Sequence, residues 1–323
     1  MKNLTLRKLV STLLLLAAPL CASAADYPTG PIRLIVPFAP GGGNDTIARA
    51  VGKRMSESMG QQVIIENRAG ANGIIGSELV AKSKPDGYTL LMANIGSHGV
   101  NPSLYKKLPY DAIRDFVPVS LLGTSPNVLV VHPSLNITTL PQLIAYGKAN
   151  PGKLSYGSNG AGSSQHLAGA LFATSFGLNM IHVPYKGTGP MMSDLVAGQI
   201  NLSFGNIVAV LPYLKSKNLI PLAVTTPERV RSLPELPTLA ETVPGFDAVV
   251  WWGIAVAKGT PPEIVTTLNR EIRKALDATD TKTQLASAGV EPRGTTPEEF
   301  GAMIRSEITK WARVVKETGA TAE

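Results

Sequence analysis

Between residues 32 and 93 the spacing of apolar residues switches repeatedly between two periods, and this alternation constrains the fold more than any other feature of the chain. Residues 32–38 form a short apolar run rich in branched side chains, the pattern of a strand buried on both faces. From Asn44 the period changes: Ile47, Val51, Met55 and Met59 recur every four positions, as on one face of a helix. Residues 63–65 read as a second strand. Ile74, Ile75, Leu79 and Val80 mark a second helix, closed by Lys84-Pro85-Asp86-Gly87, and residues 88–93 read as a third strand. A βαβαβ order implies a parallel sheet with right-handed crossovers.

The pattern restarts after Val117. Strands are expected at 117–122, 128–131, 154–157, 180–185, 200–204 and 219–225, and helices at 140–149, 163–176 and 191–197, with a short one from Leu211. A Pro-rich loop, 226–246, leads to a late strand, 249–256. Two amphipathic helices follow, 262–278 and 297–318, the second with Phe300, Ile304, Ile308, Trp311 and Val315 in register. A chain of 323 residues is long enough for two domains. The expected architecture is α/β: two doubly wound domains with a central cleft. Residues 25–124 plus 247–323 make the first domain and 125–246 the second, so the chain crosses between them twice and the crossings form a hinge. A cleft between two such sheets is a usual ligand site.

The first 24 residues stand apart. Lys2, Arg7 and Lys8 precede an apolar stretch, 9–20, too short to span a bilayer, and Ala22-Ser23-Ala24 supplies an A-x-A site. This is the pattern of a secretory signal peptide cleaved after Ala24. A lipid anchor on Cys21 is disfavoured by Leu20, which stands where a small side chain is wanted. Cleavage removes the only cysteine, so packing alone must hold the exported chain. It also lowers the formal charge from +7 to +4. With no dense Lys/Arg cluster interleaved with aromatics, nucleic acid is not an expected partner, whereas a small anion suits a mild positive surplus.

Ligands of open α/β sheets bind at the carboxyl ends of the strands. Here the first strand ends in Phe38, Ala39, Pro40, Gly41, Gly42, Gly43, Asn44 and Asp45, and the third leads to Ser97 and His98. In the second domain one strand end carries Ser158, Gly160, Ser163, Ser164 and His166, another Tyr185, Lys186, Gly187 and Thr188, and a third Asn206. Trp252 lies on the late strand. Three of these ends run directly into a helix start, where free N–H groups and the helix dipole favour an anion. A plain structural role is open at each place. The glycines could serve only a turn, with Asn44 or Asp45 as the helix cap, and Ser163 or Ser164 could be a simple cap. The four histidines lack metal-site spacing, so neither metal nor cofactor is expected. His166 follows Ser163 by three, but no G-x-S-x-G elbow accompanies the pair.

The segments "PIRLIVPFAPGGGNDTIARAVG", "VIIENRAGANGIIGSELVAKSKPDGYTLL", "LSYGSNGAGSSQHLAGALF" and "VPYKGTGPMMSDLVAGQINLSF", with the closing "GTPPEIVTTLNREIRKAL", resemble the Bug (TctC-like) family of periplasmic receptors over essentially the whole mature chain. The resemblance implies a type II periplasmic-binding, Venus-flytrap fold. It implies a non-enzymatic receptor that binds a small mono-, di- or tricarboxylate between its domains, and delivery to a permease of one large and one small membrane subunit. It places the carboxylate grip on residues 38–45, 158–164 and 185–188. A monomer suits such a shuttle. Two other readings stand beside it: a sensor subunit that presents its loaded form to a membrane receptor, and an exported Ser/His hydrolase.

Overall fold

The computed structural model describes residues 27–322, and the expected signal peptide with Cys21 lies outside the described residues. The chain opens with β1 (Ile32–Val36), α1 (Gly43–Met59), β2 (Val63–Asn67), α2 (Ile74–Ala81) and β3 (Thr89–Asn94). β1 pairs in parallel with β2 on one side and β3 on the other. Leu34, Ile35 and Val36 are fully buried, because helices cover both faces of the central strand. Every fourth residue of α1 from Ile47 to Met55 is also fully buried.

After β3 the chain makes a wide π-helical turn, Ile95–Val100, and a short helix α3 (Asn101–Leu104). A long strand, β4 (Phe116–Ser125), then completes the first pass through this sheet. The second lobe follows: β5 (Asn127–Val131), α4 (Leu140–Ala149), β6 (Leu154–Ser158), α5 (Ser164–Phe176), β7 (Met180–Pro184), α6 (Thr188–Val196), β8 (Leu202–Asn206), α7 (Ile207–Lys215) and β9 (Ile220–Val224). The chain returns through β10 (Val250–Ala257), α8 (Pro262–Asp277), α9 (Thr279–Ser287), β11 (Glu291–Pro292) and α10 (Pro297–Thr318).

Two sheets result, ordered β11-β4-β10-β3-β1-β2 and β7-β6-β8-β5-β9. Neither is wholly parallel. β10 runs antiparallel to both β3 and β4, and β5 antiparallel to both β8 and β9. Each of these strands enters its sheet from the other lobe instead of through a helical crossover, so the rule that makes β1, β2 and β3 parallel does not apply to it. The chain moves from the first sheet to the second between Ser125 and Asn127, and back between Val224 and Val250.

α10 starts with a capping box, Thr296 with Glu299, and proline in its first turn. Its buried stripe is Phe300, Ile304, Glu307, Trp311 and Val314. The expected register is corrected at two positions, since Ile308 and Val315 are only partly buried. Glu307 takes the inner place because its Oε2 accepts from the indole N–H groups of both Trp251 and Trp311, each at 3.0 Å. α10 packs on β4 and α3 of the first lobe and on α5 of the second.

Candidate ligand-binding site

The loop between β1 and α1 leaves its glycines uncovered. Gly42 caps α1 in an extended conformation (φ −88°), and no side chain bonds to the helix start. A Cβ at Gly42 would meet nothing within 4 Å, whereas Gly41 lies at φ +85°, where glycine is favoured. Neither Asn44 nor Asp45 is the cap. Asp45 sits inside the first turn and folds the loop back on itself: its Oδ2 accepts from the Gly41 N–H (3.1 Å) and Arg49 Nε (2.9 Å), its Oδ1 from Asn67 Nδ2 (3.1 Å). Burial alone would raise its pKa, but these donors outweigh it and hold the carboxylate below its ordinary value. Asn67 also donates to the carbonyl of Phe38 (3.0 Å). Asn44 accepts from Asn94 Nδ2 at 2.7 Å. Ala39 and Pro40 are exposed. Gly43 allows a close approach of Trp252, whose ring edge would stand 3.1 Å from a Cβ there. Trp252 is 2% exposed and closes this loop from behind.

Ser97 and His98 are fully enclosed in the π-helical turn. Ser97 completes a capping box with Asn94, and its Oγ lies 3.0 Å from His98 Nδ1. The His98 ring packs edge-on to Phe116 at 4.7 Å, and burial pushes its pKa down to about 3.

In the second lobe Ser163 caps α5, accepting from the His166 N–H at 3.3 Å. The His166 ring does not face Ser163: its Nδ1 accepts from the Gly162 N–H at 3.0 Å, and it stacks on His182 at 4.0 Å. His182 Nε2 lies 2.7 Å from Ser158 Oγ, which also bonds both the N–H and the carbonyl of Gly160. Two stacked imidazoles thus hold the Gly-rich loop. Desolvation lowers the pKa of His166 to about 4 and that of His182 to about 3, so both stay neutral at pH 7. At this loop it is Ser158 that pairs with a histidine, His182, and this serine is fully buried, tied down by Gly160. Ser164 occupies the first helical position, 9% exposed.

The Tyr185 N–H donates to the Ser158 carbonyl (2.9 Å), which draws the third loop to the second, while its hydroxyl donates to Asp194 (2.8 Å). Lys186 is exposed. Gly187 (φ +126°) leads into Thr188 at the start of α6, another helix whose N-terminus no side chain caps. Asn206 caps α7 through Val208 N–H (3.2 Å) and reaches Ser125 (3.4 Å) at the crossing between sheets. Beside it Asn127 is fully buried, and neither polar atom of its side chain has a protein partner.

Sequence reasoning missed His182, Asn94, Asn127 and the whole turn Gly70–Gly73. That turn touches Phe38 through Gly73 and the other lobe through Asn72. Among the described residues no cluster of three or more metal-ligating side chains occurs. The arrangement offers helix N-termini, backbone N–H groups and amides on loops of both lobes, with Arg49 of the first loop held by Asp45. Such a set can hold an anion by dipoles and hydrogen bonds.

The family model for the tripartite tricarboxylate transporter family receptor matches residues 47–320. The chain is 42% identical to protein BugT of Bordetella pertussis, over 94% of each chain. Rpa4515 of R. palustris, solved with adipate, superposes with a TM-score of 0.86 at 39% identity, over 91% of this chain and 99% of that one. MatC from Rhodopseudomonas palustris, solved with bound malate, gives a TM-score of 0.82 at 32% identity, over 90% of this chain and all of that one.

Proposed function

The chain belongs to the tripartite tricarboxylate transporter receptor family, a family of periplasmic solute-binding proteins, and on that premise we propose that it captures a small carboxylate between its two lobes. The loaded receptor then delivers the ligand to a permease of one large and one small membrane subunit. It works in the periplasm as a monomer, after cleavage behind Ala24. Residues 25–124 with 247–323 move against residues 125–246 as the cleft opens and closes.

One observation carries this reading most strongly. The start of α1 has no capping side chain and lies behind a glycine with open space where a side chain would be. Its unsatisfied N–H groups and positive dipole end suit a carboxylate. Hydrogen bonds to a charged group are worth about 1.5–3 kcal/mol each, so a few well-aimed donors give useful affinity without an arginine. Adipate and malate in the two solved relatives belong to the same chemical class.

A thermal-shift screen against mono-, di- and tricarboxylates tests the reading. At least one should raise the unfolding temperature in a concentration-dependent way. If none does, while neutral sugars or amino acids with blocked carboxylates do, the assignment is wrong. The Ser163–His166 side-chain pair that the hydrolase reading would use does not form: the His166 ring accepts from Gly162 instead.

A further inference from the structure

We infer that Asn72 is a latch that holds the two lobes together, and that the left-handed turn carrying it serves to aim this one side chain. The inference rests on the carboxylate-receptor reading only for what the latch retains, not for how it is built.

Four consecutive residues, Gly70 (φ +141°), Ala71 (+46°), Asn72 (+49°) and Gly73 (+87°), lie at positive φ. Two of them carry side chains, whose Cβ makes such a conformation sterically costly. The surroundings must impose it. Asn101, fully buried, does so through a reciprocal pair: its Oδ1 accepts from Asn72 Nδ2 at 2.9 Å, and its own Nδ2 donates to the Asn72 carbonyl at 3.0 Å. Asn101 is steadied in turn by Tyr110, whose hydroxyl lies 3.4 Å from its Nδ2 and donates to the Ser97 carbonyl at 2.7 Å. With one Asn72 hydrogen committed to Asn101, the other is directed across the cleft to the carbonyl of Gly162, at 3.0 Å.

The receiving side is equally specific. Gly162 lies at φ +76°, and a Cβ there would stand 2.4 Å from Leu104 Cδ2 and 3.0 Å from Asn72 Nδ2. Only a bare backbone fits between the amide and the leucine of the first lobe. The Gly162 N–H is held by His166 of α5, so a pull on the Gly162 carbonyl is transmitted to the helix start beside Ser163 and Ser164. The latch thus binds no ligand itself. It joins the wall of one half-site to the loop of the other.

The test compares Asn72→Asp and Asn72→Gly with wild type. Both substituents tolerate a left-handed turn, aspartate replaces the donor by an acceptor, and glycine removes the side chain. Small-angle scattering reads lobe separation with no ligand and with adipate or malate as probes. Stopped-flow kinetics read the association and dissociation rates of whichever probe binds. Both variants should have a larger radius of gyration, and dissociation about fivefold faster with association nearly unchanged, the effect of one neutral hydrogen bond. Ligand-free unfolding temperatures should fall in both variants, because buried Asn101 loses its donor, but a merely structural role would lower them without changing lobe separation or dissociation. Leu104→Ala should shift scattering and dissociation in the same direction. If either probe binds wild type, scattering profiles and dissociation rates that stay at wild-type values in both variants overturn the latch. If no carboxylate binds wild type, the proposed function falls, and the ligand-free scattering alone decides the latch, an unchanged profile overturning it. Should Asn72→Asp fail to fold, Asn72→Gly and Leu104→Ala decide.

Discussion

Acidification from pH 7.5 to 5.5 should destabilise this protein by about 3 kcal/mol through two buried imidazoles. His98 is fully buried and His166 is 6% exposed, and desolvation pushes their pKa values down to about 3 and about 4. In the unfolded chain each returns to its ordinary value near 6.5. A group whose folded pKa is depressed stays neutral in the native state while the unfolded chain takes up a proton. Its contribution is therefore complete above pH 6.5. It is lost as the pH falls through the window from 6.5 down to about 4 for His166 and about 3 for His98. Each pH unit below 6.5 costs about 1.4 kcal/mol per histidine, so the two together cost about 3 kcal/mol at pH 5.5. This figure needs only that both folded values lie well below 5.5. His182 acts in the same direction but is less buried, and solvent screening reduces its share. Urea unfolding followed by the fluorescence of the buried tryptophans at pH 7.5, 6.5 and 5.5 measures the slope. Carboxylate buffers must be avoided, since a carboxylate is the proposed ligand. His166→Gln should remove about half of the slope. A free energy of unfolding that is flat across this range would refute the assignment of neutral, desolvated imidazoles.

Three substitutions separate folding from binding. Gly42→Val should cost about 1 kcal/mol at most, the loss of a glycine N-cap, because its backbone is extended and its Cβ meets nothing, yet weaken carboxylate binding at least tenfold in calorimetry. An unchanged affinity would mean the glycines serve only the turn. Gly41→Ala should cost about 1 kcal/mol of unfolding free energy, since φ +85° strains any Cβ. Glu307→Ala should cost about 3 kcal/mol by leaving two buried indole N–H groups unpaired, and Glu307→Gln less than half of that, as its amide oxygen can still accept; equal losses would show that the charge, not the acceptor, matters.

The elements that sequence reasoning placed best were those with a strong period. The run from β1 to β3 alternates clearly because β1 and β3 are covered on both faces and α1 on one; β2 is only partly covered. The orientation of β5 and β10 was not legible, since it follows from where the chain crosses between sheets and not from local pattern. α9 and β11 escaped notice for another reason: α9 buries only Thr281 and Leu285, too few positions to show a period. The α10 register failed at Glu307 because a charge at an inner position makes sense only once two tryptophans are seen to donate to it. At the site, the Gly-rich strand ends could be read from composition alone. The latch could not. "GANG" at 70–73 carries the glycine and asparagine that a left-handed turn wants, but the carbonyl Asn72 reaches lies 90 residues further on.

The last helix ties the two lobes in a way the two crossings do not. Thr318 and Thr321 line a cavity of about 450 Å³ together with His166, Ala170, Thr174 and His182, so the end of α10 stands beside α5 along much of its length. A ligand that shifts α5 should therefore change the shape of this cavity. A fluorophore on Ala320, which lines the same cavity, should then report carboxylate binding by a change in emission. By the same coupling, a bulky affinity tag at this terminus should weaken carboxylate binding.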